Sequence, residues 1–235
     1  MKKLLVLLTC VALLALCAGP ALAEGEGTKL SVSGNGTVLV ESDLAIVTVG
    51  VREASADVLV AQATVNEKIA AIKQALLDAG VQETEINTDS INIYANYDYS
   101  DNTEVIVGYT ANNSLSVRTT DIDNVGALID AAFAAGANTL DNVQFTVQDD
   151  SEAREQALTK AVEDARRKAD VLAAAAGMQV AAIESIAESG VYTYDSMRNF
   201  AQMDAAATEE SGAGTLVQAA LVSVDASVLM DFILQ

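Results

Sequence analysis

Residues 149–177 read DDSEAREQALTKAVEDARRKADVLAAAAG, and this stretch limits the fold more than any other. It has no interior glycine or proline, so it predicts one helix of about 40 Å, long for a globular protein. Asp149 is placed to cap its first turn, with Glu152 three residues on as the reciprocal carboxylate of a capping box. Gly177 is placed to end it in the left-handed conformation. Ala153, Ala157, Ala161, Ala165, Ala169 and Ala173 recur at every fourth position. Four residues advance about 400°, so this alanine row winds slowly round the rod. It forms a shallow ridge that another backbone can approach, with Leu158, Val162 and Leu172 beside it for bulk. Glu163 with Arg167 and Asp164 with Lys168 are acid-before-base pairs at i,i+4, expected on the wet side. The pattern is that of a packing helix expected to lie on its own sheet.

The first 23 residues have the form of an export leader. Lys2 and Lys3 precede an apolar run from Leu4 to Cys17, and Ala21-Leu22-Ala23 is a small-x-small cleavage site. The run is short for a membrane span, which takes about 20 residues. Cleavage after Ala23 is the expectation, and a lipoprotein signal at Cys17 is the competitor. Loss of Lys2 and Lys3 takes the formal net charge from −20 to −22, 11 bases against 33 acids. So acidic a surface offers no footprint for nucleic acid or anionic lipid. Both cysteines fall in the leader. A mature chain of 212 residues without disulfides depends on an apolar core, which at this length it can bury.

Along the rest of the chain, Thr28 to Val40 alternates as a strand. Gly34-Asn35-Gly36 within it predicts a glycine bulge or a tight hairpin. It lacks the third glycine and following helix of a dinucleotide loop. Ser42-Asp43 turns into a strand from Leu44 to Val51. A helix capped by Ser55 or Asp57 runs to Ala79 and stops at Gly80, with Ala61, Val65, Ile69, Ile72 and Leu76 as its inner stripe. Strands Ser90–Tyr99 and Val105–Arg118 form a hairpin that is expected to gather Tyr94, Tyr97, Tyr99 and Tyr109. Asp121 or Asp123 caps a third helix through Val125, Leu128, Ile129 and Phe133 to Gly136. Leu140–Gln148 and Val180–Glu188 are strands on either side of the alanine helix. Residues 190–214 break the pattern and predict a loop, and Leu216–Leu234 closes the chain as one strand or two. The order ββα-ββα-βα-β-loop-β predicts an α+β fold, antiparallel sheets with three helices packed on them. Residues 24–235 are expected to form a single domain with sub-lobes.

The chain has no histidine, which removes imidazole chemistry and, with cysteine also gone, the usual zinc sites. Paired carboxylates could serve a glycosidase, but with 33 acids neighbours such as Asp149-Asp150 or Glu209-Glu210 carry little information. Asp98, Asp101 and Asn102 offer oxygens to Ca²⁺ without the ordered spacing of a dedicated loop, and a solvated hairpin tip is the simpler reading. No catalytic, cofactor-binding or metal-ligating residue is assigned, and no enzyme activity is expected.

Several segments, in order, carry a resemblance. They are Val32-Ser33-Gly34-Asn35-Gly36, Asp43-Leu44-Ala45, Ala79-Gly80-Val81, Glu85-Ile86-Asn87-Thr88, Val107-Gly108-Tyr109-Thr110-Ala111, residues 121–136, Phe145, and the alanine helix with Arg154 and Lys168. Together they resemble the SIMPL-domain family of exported bacterial envelope proteins, some of them periplasmic immunogens and some linked to oxidative-stress tolerance. Ser42 and Ala95-Asn96 stand where the family commonly has proline. The resemblance implies an extracytoplasmic, non-enzymatic α+β protein without cofactor, and a homo-oligomer, since some members build rings or channel-like assemblies. A self-assembling envelope protein with a role in stress tolerance is the first expectation, with the alanine row and the valine-rich strands as candidate contacts. A monomeric binding module using the tyrosine hairpin 94–109 and the 190–214 loop to hold an envelope partner is the second.

Overall fold

The computed structural model describes residues 27–99, 104–195 and 214–235. The leader, Cys17, hairpin-tip residues Asp101 and Asn102, and residues 196–213 of the expected loop lie outside the described residues. In chain order the elements are β1 Thr28–Glu41, β2 Leu44–Ser55, α1 Val58–Asp78, β3 Ile86–Asp98, β4 Val105–Thr119, α2 Val125–Ala134, β5 Thr139–Thr146, α3 Ser151–Ala175, β6 Val180–Asp195 and β7 Leu221–Leu234. This is the expected α+β order.

The strands divide between two antiparallel sheets, a three-stranded one ordered β1-β7-β6 and a four-stranded one ordered β3-β4-β2-β5. Each has its own core. Val47, Val49 and Val51 of β2 and Leu115 and Val117 of β4 pack with Ile72 and Leu76 of α1 and Ile129 of α2. Val224, Val228, Met230 and Phe232 of β7 pack with the alanine row of α3. The four-stranded unit is built from consecutive chain between β1 and α3, whereas the three-stranded unit joins the two ends of the described chain. Asp43 fastens two crossings together: its amide donates to the Thr146 carbonyl and its carboxylate accepts from the Gln148 amide. A third crossing is held by Asp130 of α2, which accepts from the amide and hydroxyl of Thr215.

All three helices end in the same way. Gly80, Gly136 and Gly177 have φ of 97°, 110° and 72°. The amides of Val81, Ala137 and Met178 reach back to the carbonyls of Leu76, Ala132 and Ala173. These are Schellman closures, which only a residue tolerant of positive φ can make cheaply.

The Gly34–Gly36 segment is not a bulge or hairpin. β1 runs without interruption from Thr28 opposite Leu234 to Glu41 opposite Leu221. The glycines are there for a different reason: α3 lies directly on them. A Cβ on Gly34 would stand 2.0 Å from the Ala161 carbonyl oxygen, and one on Gly36 2.1 Å from that of Ala157. All six alanines of the row are buried, so helix and strand backbones meet with almost nothing between them. Alanine burial removes little area from water at about 25 cal/mol per Å². The close approach adds dispersion contacts along the whole seam.

Three helix starts and one loop boundary differ from expectation. α1 starts as predicted, with Asp57 accepting from the Leu59 and Val60 amides. α2 is instead preceded by a 3₁₀ turn at Ile122–Asn124, and Asp121 accepts from the Asn124 side chain without capping the helix. α3 has no capping box: Asp149 accepts from the Ser151 amide one turn early, and Glu152 accepts from Gln156. Asp150 is turned away to Arg154 and Thr193. β6 runs on to Asp195, so the first residues of the expected loop are strand, paired with β7 as far as Asp195 opposite Val222.

Gly34→Ala and Gly36→Ala should each lower stability by about 3 kcal/mol, the upper end of ordinary overpacking, because the obstacle is backbone and cannot rotate aside. Ala161→Leu should destabilise the monomer for the same reason. Denaturant unfolding of the three variants checks this, with Thr159→Ala on the outer side of α3 as the control.

Candidate functional site

The seam between α3 and β1 is also polar along one side. β1 is the last strand of its sheet, so alternate residues turn their backbone groups away from β7. Lys160 Nζ donates to the Thr37 carbonyl at 3.0 Å, and Lys168 Nζ to the Ser33 carbonyl at 3.1 Å. Between them the Asn35 amide donates to Asp164 Oδ2 at 3.0 Å. Four helical residues advance about 6 Å and two strand residues about 6.6 Å. Helix positions 160, 164 and 168 therefore keep step with strand positions 37, 35 and 33. These side chains take the place of a neighbouring strand.

Asp164 is thus not on the wet side. It is buried, and its carboxylate accepts from Asn35, from Lys168 at 2.6 Å and from Arg167. Arg167 pairs with Asp164 rather than with the expected Glu163. Lys168 first, then the Asn35 amide, hold the Asp164 carboxyl below the usual carboxylate range.

The remaining acids with strong partners join strands instead of building a reaction centre. On the outer face of the three-stranded sheet, Asp231 of β7 accepts from Ser31 of β1 and from Ser185 of β6. Asp225 accepts from Thr37 and Ser223. Arg154 bridges Asp150 at 2.7 Å, and Thr193 donates to Asp150 at 2.5 Å, tying α3 to β6. The Ser185 and Ser31 hydroxyls lower the pKa of Asp231, and Arg154 and Thr193 lower that of Asp150. A carboxylate with a lowered pKa and its lone pairs in use is a weak general base. Among the described residues no group of three or more acids converges in a way that could hold a metal ion.

Two surfaces remain. The first is the distal β3–β4 hairpin, where Tyr94, Tyr97, Tyr99, Val105, Ile106 and Val107 are all exposed, Tyr99 at 66%. The four tyrosines do not form one group. Tyr94 stands opposite Thr110 and Tyr109 opposite Ala95, on adjacent rungs and hence on opposite faces. Tyr97 and Tyr99 do meet, ring centroids 6.2 Å apart. The second is a groove of about 520 Å³ between β1 and the C-terminal half of α3, lined by Ser31, Val32, Ser33, Arg167, Lys168, Val171 and Leu172. Val171 and Leu172 are exposed there, a feature that the alanine count alone did not disclose. The alanine row and the valines of β7 are consumed by the fold and leave nothing for a partner.

Asp164→Ala should speed hydrogen exchange at the Asn35 amide, whereas Asp164→Asn, which keeps an acceptor, should not. Because folding lowers the pKa values of Asp150, Asp164 and Asp231 from 3.8, their stabilisation is complete above that value. It is lost as pH falls below it through the folded values. Thermal melts should show stability dropping in that window, and less steeply in Asp164→Asn.

With seam, acids and surfaces placed, similarity to other proteins can be set against them. The chain is 28% identical over 168 residues to the 26 kDa periplasmic immunogenic protein of Brucella melitensis, covering 69% of this chain and 67% of that protein. It is 25% identical over 148 residues to the uncharacterized protein YggE of Escherichia coli K12, covering 63% of this chain and 60% of that one. YggE of Edwardsiella ictaluri is 25% identical over 162 residues, 68% of each chain. The family described as "SIMPL: Protein of unknown function (DUF541)" matches residues 30–232, a span that takes in both sheets and all three helices, and the chain therefore belongs to the SIMPL family.

Proposed function

We propose that this chain is an exported, non-enzymatic protein of the bacterial envelope that self-assembles and supports envelope or oxidative-stress tolerance. The observation that carries self-assembly is the distal hairpin, which holds tyrosine, valine and isoleucine side chains in water on a chain of net charge −20. Contiguous exposed apolar surface on an otherwise charged protein marks an interaction site. An extracytoplasmic location rests on the leader-like first 23 residues and on the periplasmic protein named among the relatives. The non-enzymatic reading rests on the absence of histidine from the sequence and on the strand-bridging use of Asp150 and Asp231. Met230 is fully buried, so a protective role by direct methionine oxidation is not part of the proposal.

A second reading uses the same hairpin, residues 94–109, with the 190–214 loop to hold a different envelope protein. Light scattering on the exported protein separates the two. Self-assembly predicts a mass of several subunits at micromolar concentration, and a strict monomer overturns it. Disruption of the envelope gene should lower survival under oxidant or envelope stress, and unaltered survival would remove the physiological half of the proposal.

A further inference from the structure

We infer that self-assembly is head-to-tail, with the distal β3–β4 hairpin of one copy seated in the β1–α3 groove of the next. The inference rests on the self-assembly reading and adds the surfaces that meet. Copies of a chain with 33 acids and 13 bases repel one another, so contact is favoured where that balance is locally reversed. α3 carries five of the 13 bases, Arg154, Lys160, Arg166, Arg167 and Lys168. The chain between Lys73 and Arg118 carries none, and the hairpin lies wholly inside that interval.

The two surfaces match in three further respects. The groove has an apolar wall, Val171 and Leu172, and the hairpin presents Tyr97, Tyr99, Val105 and Val107 to cover it. Arg167, whose side chain is 71% exposed, stands at the groove where a tyrosine ring or the Glu104 carboxylate can approach it; guanidinium on an aromatic face is attractive. Finally, the series that serves the edge of β1 stops at the groove. Positions 160, 164 and 168 carry Lys, Asp and Lys, but the next, Leu172, has no hydrogen-bonding group to offer Ser31. An incoming strand can supply one, as in β-strand addition, and β3 is an edge strand of its own sheet. The hairpin belongs to the four-stranded unit and the groove to the three-stranded unit. Different patches on each copy make the contact heterologous, and such contacts propagate until a ring closes or a filament grows.

Charge reversal with mixing tests this on the full exported protein. Glu104→Arg alone and Arg167→Glu alone should each weaken self-association at least tenfold by light scattering, with circular dichroism confirming the fold. A 1:1 mixture should regain the wild-type mass, since every contact in an alternating assembly is again complementary. Tyr97→Ala/Tyr99→Ala changes only exposed hairpin side chains and should weaken association without rescue by either partner. If the wild type assembles and these variants keep its mass, or the mixture fails to recover, the pairing is overturned while self-assembly stands. A monomeric wild type overturns both.

Discussion

The three-stranded unit depends on one contact, the backbone of α3 lying on the backbone of β1. Gly34 and Gly36 leave no side chain where the helix passes, and the alanine row supplies the smallest side chains a stable helix can carry. Neither half works without the other. A larger residue on the helix or any Cβ on the strand would lift the rod, and the Lys160, Asp164 and Lys168 side chains would then lose reach to the strand edge. Steric fit and edge hydrogen bonding are therefore one constraint. Its consequence is that β7 can sit in the centre of the sheet with Met230 and Phe232 fully buried beneath α3.

Exposed sheet edges invite unplanned pairing, and this protein treats its edges differently. β1 is covered by side chains from a helix. β6 is interrupted by register shifts near Ala181, Glu184 and Ser189, and β3 by shifts near Asp89 and between Asn96 and Tyr97; such irregularities break a ladder that a stray strand could otherwise follow. The outer face of the three-stranded sheet is laced by Asp225 and Asp231 to hydroxyls on neighbouring strands. Acids that in another setting would suggest catalysis are used here to set strand positions. The surface left for partners is confined to the hairpin and the groove.

Much of this was legible in the sequence. The element order, the alternation of β7, the inner stripe of α1 and the glycine stops of all three helices follow from local periodicity and from the φ > 0 that a helix closure requires. Less legible were features decided by a distant residue. Asp164 and Lys168 read as a surface ion pair because i,i+4 spacing says nothing about a strand more than a hundred residues away. Asp150 left the helix start because Thr193 and Arg154 offered it stronger partners. Tyr109 parted from Tyr94 because adjacent rungs face opposite ways, which the register fixes and composition does not.

The sequence by itself determined the class of the chain: helices where alanine and leucine recur at helical spacing, strands where valine alternates, and no imidazole or mature thiol for chemistry. These are local properties, set by propensity, periodicity and residue count. Only the tertiary structure decided that β1 and β2, consecutive in the chain, belong to different sheets. It also decided that Gly34 and Gly36 are a seat for a helix, not a turn. The reason is physical. A glycine is selected equally by a backbone that must bend and by a neighbour that must come close, and the two are told apart only when the neighbour is in place.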